Sequence, residues 1–184
     1  MGKLTVFNFI TLNGFFRGPG GDIGWHGHGA EENEYAASNL GSGNILLFGR
    51  VTYEMMAGYW PTPEAAANTP EVAAGMNAAE KIVFSRTLGE AAWNNTRVVR
   101  DDIEGEIREM KRLRDRNMTL LGSGSIVALL ADLGLVDEYE IMVDPVVIAA
   151  GKQIFGGITR RIDLRLLEAR AFGSGAVLLR YIPA

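Results

Sequence analysis

The sequence predicts an α/β protein whose sheet is mostly parallel, covered on both faces, and finished by an antiparallel hairpin. Three observations carry this. Short β-branched or apolar runs alternate with helical stretches along most of the chain, the pattern of strand–helix–strand crossovers. The run Asn44–Phe48 is almost wholly apolar, as suits a strand buried on both faces. Near the end, Leu164–Phe172 and Ala176–Ile182 flank Gly173-Ser174-Gly175, a hairpin signal, so the sheet is mixed.

Taken in order, Lys3–Thr11 is β-branched and aromatic and reads as a central strand. It empties into Leu12–Trp25, a loop rich in both glycine and aromatics. Such a loop either closes over a ligand or packs its rings back on the sheet. Glu31–Leu40 is a helix. Gly49 breaks the apolar strand, and Val51–Gly58 continues as a helix with Tyr53, Met56 and Ala57 along one side. Pro61–Asn77 is rich in alanine and proline, with a short helix over Glu71–Met76. Lys81–Ser85 and Arg97–Arg100 are short strands. Asp101 with Glu104 is a helix-start pattern, and Ile103, Ile107, Met110 and Leu113 form its apolar stripe. Met118–Leu121 is a strand that meets Gly122-Ser123-Gly124-Ser125. The helix carrying Ile126, Leu129, Leu130 and Leu133 then runs to Gly134. Tyr139–Val143 is the last crossover strand. One domain spanning residues 1–184 is expected, since 184 residues at 47% hydrophobic content can bury a core of their own.

Composition removes several classes of function. There is no cysteine, hence no thiolate nucleophile and no Cys-based zinc or iron–sulfur site. A net charge of −4 and a pI near 5.3 give no reason to expect a nucleic acid, and Arg160, Arg161 and Arg165 read as solvated surface. The start runs directly into a strand pattern without a signal peptide, and no apolar run is long enough for a bilayer. A cytoplasmic protein acting on a small molecule, away from membranes, is expected.

Three strand ends have the chemistry of phosphate binding: Gly49-Arg50 with Thr52, Ser85-Arg86 with Thr87, and Gly122-Ser123-Gly124-Ser125. Glycine lets a ligand approach the backbone, and hydroxyls and helix N-termini satisfy phosphate oxygens. In an open α/β sheet all three can face one crevice at the carboxyl ends of the strands. Two separate arginines suit a dinucleotide carrying a 2′-phosphate. The G-x-G-x-x-G fingerprint is not met, because Val127 occupies the third glycine position. Neither a P-loop nor a G-x-S-x-G elbow is present. His26 and His28, with Glu31 or Glu32, invite a metal reading. Two histidines in a glycine loop more often face solvent or substrate, so no metal is expected.

The segment Ile45-Leu46-Leu47-Phe48-Gly49-Arg50-Val51-Thr52-Tyr53-Glu54 resembles the G-R-x-T-[YW]-E stretch of dihydrofolate reductase-like proteins. More closely, the chain is similar to the reductase domain of the riboflavin-biosynthesis deaminase-reductase and its stand-alone relatives. Thr11–Phe15, Gly20–Trp25, Lys81–Leu88, Gly122–Ile126 and Asp144–Gly151 support this in the expected order. The resemblance implies a three-layer α/β/α fold, NADPH as cofactor and a homodimer. It places Gly49, Arg50 and Thr52 on the phosphates and adenosine end, Ser85 and Arg86 on the 2′-phosphate, and Gly122, Ser123, Gly124, Ser125 and Ile126 on the pyrophosphate.

The chain has Asn13 where relatives carry an aspartate. An amide orients a substrate but does not protonate it at neutral pH, so the acid must come from elsewhere. The Cys/His zinc motif of the deaminase segment is absent from this sequence, so no such segment is expected before the domain. The expectation is an NADPH-dependent reductase of a C=N or C=O bond in a small heterocycle, resembling 5-amino-6-(5-phosphoribosylamino)uracil reductase. Asp22 is the expected acid, desolvated beside Trp25 and Phe16, with Glu31 or Glu34 in reserve. Phe15, Phe16, Trp25 and Tyr53 are expected against the substrate. The alternative is a non-catalytic module that binds a nucleotide or flavin in the same cleft.

Overall fold

The computed structural model describes residues 1–27, 29–113 and 116–184. The elements are β1 (Leu4–Thr11), β2 (Phe15–Arg17), α1 (Ala30–Gly41), β3 (Ile45–Gly49), α2 (Arg50–Tyr59), α3 (Pro63–Asn68), α4 (Pro70–Ala78), β4 (Lys81–Phe84) and β5 (Thr96–Val99). There follow α5 (Ile103–Leu113), β6 (Met118–Leu120), α6 (Gly124–Asp132), β7 (Glu138–Asp144), β8 (Lys152–Gln153), β9 (Leu164–Ala171) and β10 (Val177–Pro183). The main sheet has the order β5-β4-β3-β6-β1-β7-β10-β9. Its first six strands are parallel, so their carboxyl ends share one edge, and β10 pairs antiparallel with both β7 and β9. This is the mixed α/β sheet of a dihydrofolate reductase-like fold, with helices on both faces.

Strand β3 shows why the layers form. Ile45 and Leu47 turn to one face and join Ile107 and Met110 of α5 and Val127 and Leu130 of α6. Leu46 and Phe48 turn to the other and join Tyr53 of α2, Val72 and Met76 of α4, and Trp93. Every residue of β3 is buried, which an all-apolar sequence permits. Helix α1 is tied to the sheet by polar contacts. Tyr35 Oη donates to Glu140 Oε2 at 2.9 Å and Asn39 Nδ2 donates to the same oxygen at 3.1 Å.

Two features differ from the sequence reading. Pro61–Asn77 holds two helices because each begins with a proline in its first turn, and Thr62 Oγ1 caps the first by accepting from the Ala65 amide. The second is the pairing of β2 with β8, too short to show any alternation. It brings the glycine-aromatic loop back against the segment that follows β7.

Lys81 is the unusual core residue. It is fully buried, its Nζ donates to the carbonyls of Ala79 (2.6 Å) and Asn77 (3.3 Å), and it lies 4.6 Å from the Trp93 ring centre. Burial lowers its pKa to about 8. The unfolded chain therefore holds more protons than the folded one between about pH 8 and the ordinary lysine value, and stability rises with pH across that window. The slope is at most about 1.4 kcal/mol per pH unit. Urea midpoints measured from pH 7.5 to 10 should climb for the parent and stay flatter for Lys81→Met; equal slopes would show that Lys81 titrates normally.

Candidate active site

The pairing of β1 with β6 stops at Val6 opposite Leu120, whereas β1 follows β7 on to Thr11 opposite Asp144. The Leu121 amide instead donates to the Leu47 carbonyl of β3. The sheet thus opens between β1 and β6 just before its carboxyl edge. Asn8 stands in the opening, beyond the last paired residue.

Two helix N-termini meet on the β6 side of this opening. The Gly49 amide donates to the Gly122 carbonyl at 3.1 Å, and a Cβ on Gly49 would overlap Ser123 Oγ. Gly49 is the N-cap of α2 and Ser123 the N-cap of α6, and neither helix has a side chain capping its first amides. The Gly122–Ser123 peptide is cis, and Ser123 Oγ lies 3.0 Å from Ser125 Oγ. A Cβ on Gly122, whose φ is +96°, would sit 3.2 Å from Thr52 Oγ1 and 3.5 Å from Asn8 Nδ2. Two helix dipoles and several amides therefore face one small volume suited to an anion.

Beside it lies a cleft with two connected lobes. The larger, about 270 Å³, is bounded by β1, β3, β6, α1, α2 and α4. Its walls include Phe7, Phe9, Leu40, Met56 and Trp60, and among the described residues no aspartate, glutamate, lysine or arginine lines it. The smaller, about 90 Å³, reaches toward the helix N-termini and is lined by Phe16, Arg17, Trp25, Val51 and Thr52 among others. Asn8, Phe9, His26, Met55 and Met56 line both.

The polar groups of the cleft are few. His26 Nδ1 lies 3.1 Å from Asp144 Oδ2, with side-chain exposures of 12% and 4%. The Phe9 ring stands edge-on to the imidazole at 4.1 Å. An imidazole whose Nδ1–H is held by a carboxylate keeps one tautomer and one orientation. Asn8 is only 8% exposed. Its Oδ1 and the Nε1 of Trp25 are buried without a hydrogen-bond partner among the described residues.

Residues 2–178 match the family described as the RibD C-terminal domain. The chain belongs to the RibD C-terminal domain family. It is 30% identical over 172 residues to the uncharacterized protein YyaP of Bacillus subtilis, covering 94% of this chain and 90% of that one. In structure it is similar to a putative riboflavin biosynthesis protein from Shewanella sp. PV-4, with a TM-score of 0.80, 16% identity and 99% of each chain covered. It is also similar to the dihydrofolate reductase of Enterococcus faecalis complexed with NADP(H), with a TM-score of 0.68, 14% identity, and 98% of this chain and 96% of that one covered.

Within this RibD C-terminal domain the expected site residues fall into distinct places. Gly49, Thr52, Gly122, Ser123 and Ser125 converge as described. Gly124 packs against Phe16 and the carbonyls of Gln153 and Ile154, and Ile126 is buried in the core behind Gly49. Arg50 is half-exposed on the first turn of α2, 4.0 Å from Glu54. Ser85 and Arg86 lie at the end of β4 and line a separate surface cleft with Arg100, Asp101 and Leu129. Ser85 Oγ accepts from the Thr87 and Leu88 amides, and Arg86 pairs with Asp101 at 3.4 Å.

The expected acids are elsewhere. Asp22 is exposed and lines neither lobe; its Oδ1 accepts from the Gly24 amide at 2.8 Å, the local bonding of a glycine turn. Glu31 and Glu34 are exposed on α1 outside the cleft, Glu31 beside Gly173 of the hairpin. Asn13 accepts from Thr11 Oγ1 at 2.8 Å and donates to the Ile148 carbonyl at 2.8 Å, pinning the loop after β7 to the end of β1. Phe16 and Trp25 line the small lobe, whereas Phe15 is paired to Gln153 in β2. Tyr53 is a core residue, 3% exposed, whose hydroxyl accepts from the Trp93 amide at 3.0 Å. His28 lies outside the described residues, and among those described no group of three His, Asp or Glu is placed to hold a metal.

The sequence alone gives no role to Asn8, Arg17 or Asp144, and offers His26 as a metal candidate or as a loop residue facing solvent or substrate. A single amide inside the apolar strand Leu4–Thr11 was the available signal for Asn8. Asp144 shows itself only when β7 is aligned with β1.

Proposed function

We propose that this domain is an NADPH-dependent reductase of a C=O or C=N bond in a small, uncharged, planar substrate. The observation that carries the reading is the meeting of two helix N-termini without side-chain caps, through Gly49 and Ser123, beside a largely apolar cleft. The family and the fold neighbours add support. The residues fit the cofactor: Thr52, Ser123 and Ser125 with the first amides of α2 and α6 would hold the phosphates, and Arg50 would add a cation. Ser85 and Arg86, one strand further along the edge, would serve a 2′-phosphate. NADPH, when bound, supplies a hydride. The larger lobe would seat the substrate ring between Phe9, Met56 and Trp60. Among the described residues it has no charged wall, so a substrate carrying a ribose phosphate, as in 5-amino-6-(5-phosphoribosylamino)uracil, would find no ionic partner there. His26, oriented by Asp144, would be the group that supplies the proton the reduced heteroatom needs. Asp22 and Asn13, turned to loop contacts, would not.

Thermal denaturation with NADPH tests the reading. At a hundredfold excess over Kd, protection worth about 2.7 kcal/mol is expected, larger for NADPH than for NADH. Arg50→Ala should weaken NADPH roughly tenfold or more without lowering the melting temperature of the free protein, because the side chain is half-exposed and its ion pair with Glu54 is long, at 4.0 Å. Absence of any nucleotide protection would overturn the assignment. Protection without NADPH oxidation by a panel of ketones, quinones and cyclic imines would favour the binding-module alternative, which the loop-bound Asn13 and Asp22 otherwise suggest.

A further inference from the structure

We infer that Asn8 and Trp25 form a two-point clamp for the neutral carboxamide of the nicotinamide ring. The inference rests on the NADPH reading and goes beyond it by naming the groups that select the reactive end of the cofactor. Buried polar atoms in folded proteins are almost always hydrogen-bonded, and each exception asks for an explanation. Here two exceptions, Asn8 Oδ1 and Trp25 Nε1, belong to residues lining the same small lobe. One is an acceptor and the other can only donate. A ligand that satisfies both must present a donor and an acceptor on one edge, as the N–H and carbonyl oxygen of a primary carboxamide do. A phosphate offers acceptors alone and would place negative charge against Asn8 Oδ1. An alkyl group or bare ring offers neither partner.

Position supports the nicotinamide as the source. Asn8 stands where β1 parts from β6, and the site of a Cβ on Gly122 lies within 3.5 Å of its amide nitrogen and 3.2 Å of Thr52 Oγ1. The clamp therefore adjoins the two helix N-termini proposed for the pyrophosphate. The larger lobe, where His26 also stands, is left for the substrate. With the carboxamide fixed, the ring is held in one of its two flipped orientations, which decides the face it turns to the larger lobe.

Calorimetric titration of the full chain, with no second substrate present, tests this with three probes: NADP+, its nicotinic acid analogue in which a carboxylate replaces the carboxamide, and 2′-phospho-ADP-ribose, which lacks the pyridine ring. The parent should bind NADP+ at least tenfold more tightly than the nicotinic acid analogue. Asn8→Leu, close to asparagine in size, should reduce NADP+ affinity about tenfold and abolish the discrimination, while 2′-phospho-ADP-ribose binds as to the parent. Trp25→Phe should do the same, and serves if the Asn8 variant does not fold. Unchanged NADP+ affinity and discrimination in either folded variant would overturn the clamp and leave the reductase reading standing; those groups would then serve a substrate amide or solvent. A parent that binds 2′-phospho-ADP-ribose but does not distinguish the two dinucleotides also overturns the clamp alone. A parent that binds none of the three overturns both.

Discussion

A His26→Gln enzyme is expected to turn over roughly 10²- to 10³-fold more slowly than the parent while binding NADPH with the same affinity. Positioned general acids contribute about that range, and the glutamine amide keeps a donor of similar reach without a transferable proton. The geometry makes the imidazole the candidate. Its Nδ1 is 3.1 Å from a carboxylate that is itself only 4% exposed, and it lines both lobes. Asp144→Asn should act through His26: the amide cannot hold an Nδ1–H tautomer and an imidazolium as a carboxylate does, so turnover falls while KM changes little. The split between kcat and KM separates this from a structural role: both variants should lower kcat while KM, NADPH affinity and melting temperature stay near those of the parent. A loss of stability or of NADPH affinity that matches the loss of turnover would make the pair structural and return the proton to solvent.

The same residues show how far sequence reaches. The parallel sheet was legible because alternating apolar runs and helix stripes are local patterns, and burial on both faces leaves its mark within five residues of β3. The Gly49–Ser123 junction was legible for a related reason: glycines at strand ends announce close approach before the approaching partner is known. His26 and Asp144 were not, because they are 118 residues apart and meet only through the register of β7 on β1. Asn8 was hidden by its own strand, since burial among aromatics reads as packing until the sheet is seen to part beside it. Tyr53 misled for the converse reason. Its helix face was read correctly, but Trp93, arriving from a loop, fills the space that a ligand would have needed. Asp22 was drawn toward the aromatics by proximity in sequence, and the glycines around it allowed it to satisfy itself locally instead.

Gly49→Ala is expected to cost about 1–3 kcal/mol of stability, the range for overpacking a well-filled site, and to weaken NADPH by tenfold or more. The methyl group would overlap Ser123 Oγ and come within 3.1 Å of Ser123 Cβ. Rotation of the serine hydroxyl relieves the first contact but not the second, so the N-cap of α6 must move away from that of α2. Separating the two helix ends spreads the amides and dipoles that the anion site depends on. The next neighbour, Ile126 Cγ1 at 3.4 Å, is an ordinary contact and resists little. Removal of the serine side chain should therefore restore the fit. The double variant Gly49→Ala/Ser123→Gly is expected to recover most of the lost stability in urea denaturation, because both offending atoms are gone. Its NADPH affinity should recover only in part, since the Ser123 hydroxyl is lost as a phosphate donor. A double variant no more stable than Gly49→Ala would mean that the methyl group clashes with backbone elsewhere. Full recovery of affinity would mean that the amides and dipoles of the two helix ends bind the phosphates without the serine.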